Sequence, residues 1–420
     1  MRPHLSIRID PITRHSKYNI GIPFTRTIAM ADEVFRHDGY MSEFEAGIVS
    51  VDGDMVVLDC TAFYPGGGGQ VCDTGTMNGM PVTDVSYKGK EIIHKVPGND
   101  FKPGMRVWCS VDWDRRFDLM MGHTGEHLLF CSLKRQDPEL TITKIFIGPE
   151  EKYVIVNHDV PWEKIGAALE FANKAIRDNL PVRKTVMSRD DPELENVRIK
   201  LDRIAEDEEI TVVSIGDIDL SACSGIHVME TGELGMLFVD RKVSAGKDGV
   251  AIHFKVGSAA QDAAMALANT CLQIIDETGS KPEDIVRTVA NMKRDLALAA
   301  EARKAAAKQQ IREMVPENIG GTDVYCGMFA DADRKTLTDA AEGFKSKGGV
   351  AAFVSVSDTV SVILASGTSK LDCKKALPAV LGMFGGRGGG KPDFAQGGIS
   401  DPSKAKDVYD SLIAEIRKNL

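Results

Sequence analysis

His123 and His127 stand four residues apart in a stretch from Arg115 to Arg135 that carries a helical pattern. That spacing puts both imidazoles on one face of a helix, where they can share a metal. Farther along, Cys223 and His227 repeat the spacing with a thiol and an imidazole, the mixed nitrogen and sulfur set that suits zinc. One His or Cys alone is usually a packed core residue; two such pairs in one chain point to a metal site. Four protein ligands close a tetrahedral, structural site, whereas displacement of His227 or another ligand leaves a position for water. An open zinc lowers the pKa of water to about 7 and polarises an ester carbonyl, so hydrolysis needs no serine or cysteine intermediate. No G-x-S-x-G elbow occurs that would support such an intermediate.

Two glycine-rich segments accompany these pairs. Thr61 to Gln70 follows a predicted strand and includes four consecutive glycines, Gly66 to Gly69, whose backbone N–H groups can approach a ligand closely. No Walker lysine and serine follow, which removes nucleoside triphosphate binding; a plain turn is the alternative. Gly385 to Gly398 combines backbone donors with Arg387 and Lys391, a loop suited to phosphates or an RNA backbone, or else a flexible low-complexity loop.

The elements that must position these groups read as α+β. Strands are expected at Phe44–Val51, Met55–Cys60, Glu91–Val96 and Met105–Trp113, then at Lys152–Asn157 and Ile210–Ile215. The second helix, Pro161 to Asn179, places Ile165, Leu169, Ala172 and Ile176 on one face. After Gly257 the composition turns to alanine and charge, and Thr278 to Pro282 reads as the turn of a helical hairpin. Ile285, Val289, Met292, Leu296 and Ala299 form a seam, either for packing within the chain or for a homodimer through the carboxy-terminal region. Beyond Asn318 a last domain carries strands near 349–356 and 359–364 and a closing helix over 403–418.

Composition narrows the class. The chain of 420 residues has a formal net charge of −10, from 51 basic and 61 acidic residues, which argues against broad nucleic-acid binding but leaves room for a local basic surface. Arg2, Arg8, Arg14, Lys17 and Arg26 crowd a leader that is either an RNA-contacting arm or a tail ahead of a start at Met30. Eight scattered cysteines without a C-x-x-C pair imply no disulfide framework and a reducing, cytoplasmic setting. No apolar run approaches the ~20 residues of a membrane span.

In order, Phe44-Glu45-Ala46, Thr61 through Gln70 with Asp73-Thr74-Gly75, Arg115-Arg116 leading to His123 and His127, Cys223 with His227, Thr231 to Gly235 and Gly385 to Gln396 resemble the editing and carboxy-terminal domains of alanyl-tRNA synthetase. The likeness is closest to the long form of the AlaX-type alanyl-tRNA editing proteins and runs from about Asp32 to the end of the chain. It implies one zinc held by His123, His127, Cys223 and His227, in a site that deacylates tRNA(Ala) mischarged with serine, and in some members glycine. It also implies tRNA contacts at Arg115, Arg116, Arg387 and Lys391. A pocket built for alanine rejects serine poorly, so a second, hydrolytic sieve is needed; Thr61 and Gln70 are the candidate polar partners for the serine hydroxyl. Ser224 and Ile226 replace the glycine and threonine usual in the family, and Glu126 is an unusual companion for the second histidine.

The implied order is a basic leader (1–31), a β-rich domain (32–113), a zinc-bearing two-layer α+β editing domain (114–257), a helical hairpin (258–317) and a small Gly-rich α/β domain (318–420). Three rivals are kept. His123 to His127 also fits H-x-x-E-H, a zinc metallopeptidase pattern with Glu126 as base and a distant carboxylate as third ligand. A closed zinc fits a noncatalytic tRNA-binding factor. The last domain resembles one attached to DHH phosphoesterases, but no Asp-His-His triplet occurs.

Overall fold

The computed structural model describes residues 31–199, 210–330 and 332–420. The cationic leader expected over 1–31 therefore lies, up to residue 30, outside the described residues. The chain forms two compact units that divide between Cys271 and Leu272.

The first unit begins with β1 (Asp32–Glu33), β2 (Glu43–Asp52), β3 (Met55–Leu58), β4 (Cys60–Thr61), β5 (Gly75–Met77), β6 (Met80–Val82), β7 (Asp84–Lys88), β8 (Glu91–Lys95) and β9 (Arg106–Val111). Seven of these join in the order β6-β5-β9-β2-β3-β8-β7, while β1 pairs with β4 in parallel. The alternation of the sequence explains the burial: Phe44, Ala46 and Ile48 of β2 and Val107, Cys109 and Val111 of β9 point to the core. Phe44 lies opposite Cys109 and Ala46 opposite Val107, so the inward sets of the two strands coincide.

Helix α1 (Trp113–Gln136) follows, capped by the Asp112 carboxylate, which accepts from the Arg115 N–H. Its middle, from Leu119 to Leu133, is mostly buried, which makes it a central helix rather than a surface one. Around it come β10 (Ile142–Ile147), β11 (Lys152–Val156), α2 (Trp162–Arg177), β12 (Val182–Met187), β13 (Ile210–Ile215), β14 (Asp219–Ala222), β15 (Leu237–Ser244) and β16 (Val250–Val256). They form a four-stranded antiparallel sheet, β10-β11-β16-β15, and a three-stranded one, β12-β13-β14. One core runs through the seven-stranded sheet, α1, α2 and the four-stranded sheet; Phe63, Leu119, Leu128, Val154, Ile165 and Phe254 all belong to it. On α2 the expected face is the buried one, with Ile165, Ala172 and Ile176 inside and Leu169 packed against them.

Helix α3 (Gly257–Thr278) leads across the division to α4 (Ile285–Arg312). The seam expected on α4 is not covered: Val289, Met292 and Leu296 are 47%, 56% and 71% exposed. The second unit continues with β17 (Glu317–Ile319), β18 (Thr322–Ala330), α5 (Arg334–Ser346), β19 (Val350–Val356), β20 (Val360–Ser366), α6 (Cys373–Gly382), β21 (Arg387–Lys391), β22 (Phe394–Ile399) and α7 (Ala405–Asn419). Its sheet runs β17-β18-β19-β20-β22-β21, with β18 and β19 parallel and joined through α5. Both faces are covered. Val350, Ala352 and Val354 pack with α6 and α7, while Ala351 and Phe353 pack with α5 and the end of α4. This is why β19 reads as an unbroken apolar run. The glycine-rich segment expected to be a loop is the hairpin of β21 and β22, and its bareness has a packing reason: Cβ atoms at Gly388 and Gly397 would come within 2.9 and 2.5 Å of Leu381 on α6. Arg387 and Lys391 are exposed at its two ends.

Arg116 ties the glycine-rich segment near residue 70 to the central helix. Its guanidinium is fully buried, pairs with Asp73 through two nitrogens, and donates to the carbonyls of Gly39 at 2.8 Å and Ala62 at 2.6 Å. Asp73 in turn accepts from the Tyr64 N–H at 2.6 Å. Removing one partner strands a buried charge. Arg116→Met is therefore expected to destabilise the chain by about 3–5 kcal/mol, read by urea unfolding; an unchanged midpoint would show that the pair is dispensable.

Candidate metal centre

Four side chains from two elements meet at one point. His123 and His127 project from one face of α1, and Cys223 and His227 lie just beyond β14, where the Cys223 N–H still bonds the Thr211 carbonyl of β13 at 2.9 Å. One donor atom from each lies within 4.8 Å of the others. Cys223 Sγ is 3.4 Å from both His123 Nε2 and His227 Nε2.

Each imidazole is aimed by a bond to its far nitrogen. His123 Nδ1 donates to Gln70 Oε1 at 2.7 Å, His127 Nδ1 donates to Asp219 Oδ2 at 3.0 Å, and His227 Nδ1 lies 3.1 Å from Thr124 Oγ1. The Thr124 hydroxyl also accepts the Val228 N–H at 3.2 Å, which fixes the turn carrying His227. Three Nε2 atoms are thereby left for a common ligand, in the tautomer that metal-binding histidines adopt when an oxygen holds the other nitrogen. The donor set fits zinc: a thiolate and three imidazoles at spacings an ion could span.

The electrostatics agree. Burial alone would push the Cys223 thiol up, but His123 and His227 beside it, with hydrogen bonds from His123 and His127, hold it well below the usual thiol range. Burial works against a charged His127, yet the Asp219 bond and the Cys223 sulfur raise it to about 10. Burial and the neighbouring His123 instead lower His227 to about 3. The thiolate is the anionic donor a cation would take, and a bound cation would displace the proton on His127 Nε2.

A cleft of about 160 Å³ opens onto this cluster at Gly225 and His227, and Arg36, Arg183 and Lys184 line it. Burial depresses the Lys184 ammonium, as does the Arg36 charge. These three cations had no motif to mark them. Asp219 had a faint one: it precedes Cys223 by four residues along an extended segment, where alternate residues share a face.

The remaining residues singled out by sequence fall in different places. Gln70 stands at the cluster, with its Nε2 buried and without a partner among the described residues. Thr61 is fully buried; its Oγ1 accepts from the Phe63 N–H at 3.1 Å and lies 2.8 Å from His94 Nε2. Arg115 is half-buried and donates to the Cys72 carbonyl at 3.0 Å. Arg116 is interior, with no face left for an RNA, because Asp73 and two carbonyls take its donors. Arg387 and Lys391 belong to the other unit.

Comparison with known proteins matches three family models: "tRNA synthetases class II (A)" over residues 25–115, "Threonyl and Alanyl tRNA synthetase second additional domain" over 210–248, and "DHHA1 domain" over 321–418. An alanine–tRNA ligase of Methanocorpusculum labreanum is 30% identical over 94% of this chain and 44% of its own. One of Pyrococcus abyssi is 30% identical over 93% and 44%. The chain thus spans under half the length of these ligases. The alanyl-tRNA editing protein AlaX-L of Pyrococcus horikoshii is 28% identical over 93% of this chain and 100% of its own. The solved C-Ala domain of Aquifex aeolicus alanyl-tRNA synthetase covers 26% of this chain at 26% identity with a TM-score of 0.23, too low to bear on the fold.

Glycine at 225 is a steric requirement of the cluster, since a Cβ there would lie 2.2 Å from His123 Cε1. Gly225→Ala is expected to rotate His123 off Gln70 and weaken zinc binding roughly 10–100-fold, the range for lost outer contacts. Competition against a chelating dye measures it, and an unchanged affinity would contradict this geometry.

Proposed function

This chain is a homologue of the long-form AlaX-type alanyl-tRNA editing proteins, and on that premise we propose that it hydrolyses the ester of tRNA(Ala) mischarged with serine, and with glycine as a second substrate, using one zinc at His123, His127, Cys223 and His227. The observation that carries the reading is the cluster of three aimed imidazoles and a thiolate beside a cation-lined cleft. With one of the four ligands, such as His227, displaced to open a position, zinc held there would supply Lewis acidity toward the ester carbonyl and would lower the pKa of water to about 7. The chain's own residues bind and select. Arg36, Arg183 and Lys184 receive the phosphates of the acceptor end, with Arg115, Arg387 and Lys391 as outlying tRNA contacts.

Selection of serine rests on two polar groups. Gln70 Nε2, buried and unpartnered, is a donor waiting for an acceptor. At Thr61 the neighbour decides the hydroxyl's role. His94 Nδ1 faces the Val56 carbonyl at 3.2 Å and must donate to it, and burial lowers its pKa to about 4, so its Nε2 is an acceptor. Thr61 then donates a hydrogen bond to His94, accepts one from the Phe63 N–H, and keeps one lone pair for the hydroxyl of serine. Alanine offers nothing to either group.

The metallopeptidase alternative calls for a carboxylate as third ligand, while the cluster's other donors are Cys223 and His227. The noncatalytic alternative has no use for an unpaired amide beside the metal. Among the described residues no helix is long and apolar enough to cross a membrane. The bare α4 face is suited to a second copy of the chain; Leu296→Lys is expected to halve the mass seen by light scattering, and a wild-type monomer would remove that idea.

Deacylation of seryl-, glycyl- and alanyl-tRNA(Ala) by the purified chain tests the proposal: the first two should be cleaved and the last spared. No cleavage of any, with peptides hydrolysed instead, would replace it by the peptidase. Thr61→Val is expected to cut the serine-to-alanine rate ratio about tenfold or more, the equivalent of 1–3 kcal/mol, with zinc content unchanged.

A further inference from the structure

Glu126 sits between the two helix histidines in sequence and makes no hydrogen bond among the described residues. Its side chain is fully buried, and both carboxylate oxygens are sealed from solvent without a partner among the described residues. His127 Nε2 lies 3.8 Å from its Oε2. That nitrogen is the one left for the metal once Asp219 holds Nδ1. The spacing compares with the 3.4 Å between Cys223 Sγ and the other imidazole nitrogens. No lysine or arginine pairs with Glu126 among the described residues. A carboxylate in this setting is costly to bury unless a cation compensates it. Helical geometry adds a reason for its direction: residues 123, 126 and 127 stand at i, i+3 and i+4 and share a side of α1.

We infer that Glu126 is the counter-charge of the metal centre, the group that makes it prefer a divalent ion to Cu⁺. The inference rests on reading the four donors as a metal site. Soft thiolate with imidazole is a donor set that takes Cu⁺ as readily as Zn²⁺. Asp219, bonded to His127, is offset by the Arg198 guanidinium 3.6 Å from it; with one thiolate and three neutral imidazoles, Cu⁺ then gives a neutral buried complex and Zn²⁺ leaves one unit of positive charge uncompensated. A carboxylate beside His127 reverses the order: the zinc complex becomes neutral and the copper complex acquires a net negative charge. In a buried site of low effective dielectric that difference favours the neutral complex.

The test is the affinity of the full-length chain for Zn²⁺ and, under reducing anaerobic conditions, for Cu⁺, each by competition with a chelator. Glu126→Gln keeps the size and removes the charge; Glu126→Met removes the charge with an apolar side chain of similar length. Both are expected to weaken Zn²⁺ roughly 10–100-fold while Cu⁺ binds as well as before or more tightly. Two variants guard against a folding defect in one of them. Equal weakening of both ions in both variants would mean that Glu126 supports the fold only, and no change in either ion would mean that its charge is not felt; each result overturns the inference. Failure of the wild-type chain to bind Zn²⁺ at all would instead overturn the metal reading beneath it.

Discussion

Three imidazoles can point at one sulfur only if something else holds each of them by its other side. Gln70, Asp219 and Thr124 do this, and they come from the glycine-rich segment, from β14 and from α1. The site is therefore a property of the whole first unit. The segment between β4 and β5, bridged to Ile147 of β10, must deliver Gln70, the three-stranded sheet must deliver Asp219 and Cys223, and the central helix must present His123, Thr124 and His127 together. The buried Arg116–Asp73 pair lies within this arrangement, joining the segment that ends near Gln70 to the helix that carries the histidines. Its position explains why an arginine just ahead of a metal motif can be structural.

Charge is organised locally against the global balance. The chain is acidic by ten units, yet Arg36, Arg183 and Lys184 line a cleft that reaches the cluster. A local excess of positive charge can attract a polyanion despite an acidic total.

The sequence disclosed most where chemistry and periodicity are both local. The helix bearing His123 and His127, the strands with β-branched alternation, and the donor pairs could all be read because spacing alone fixes what shares a face. What it hid depends on long-range assembly. Asp219 lies ninety-two positions from His127, and Arg36 is far in sequence from Arg183 and Lys184 of β12, so no window of sequence contains the set. Arg116 illustrates the opposite error: an arginine reads as a surface or RNA-binding group until its carboxylate partner, Asp73, is seen to be buried with it. The glycine run at 385–398 reads as a loop because it lacks side chains. Its glycines are there to let α6 lie close on a strand pair, a reason visible only in packing.

The central claim is that one metal is held by three imidazoles and one thiolate, and X-ray absorption at the zinc edge of the purified full-length chain tests it most directly. The account predicts a first shell with one sulfur at about 2.3 Å and the remaining nitrogen or oxygen donors at about 2.0–2.1 Å, the sulfur being lost in Cys223→Ser. A shell without sulfur, a shell with several sulfurs, or a fully folded protein that takes up no zinc would contradict it.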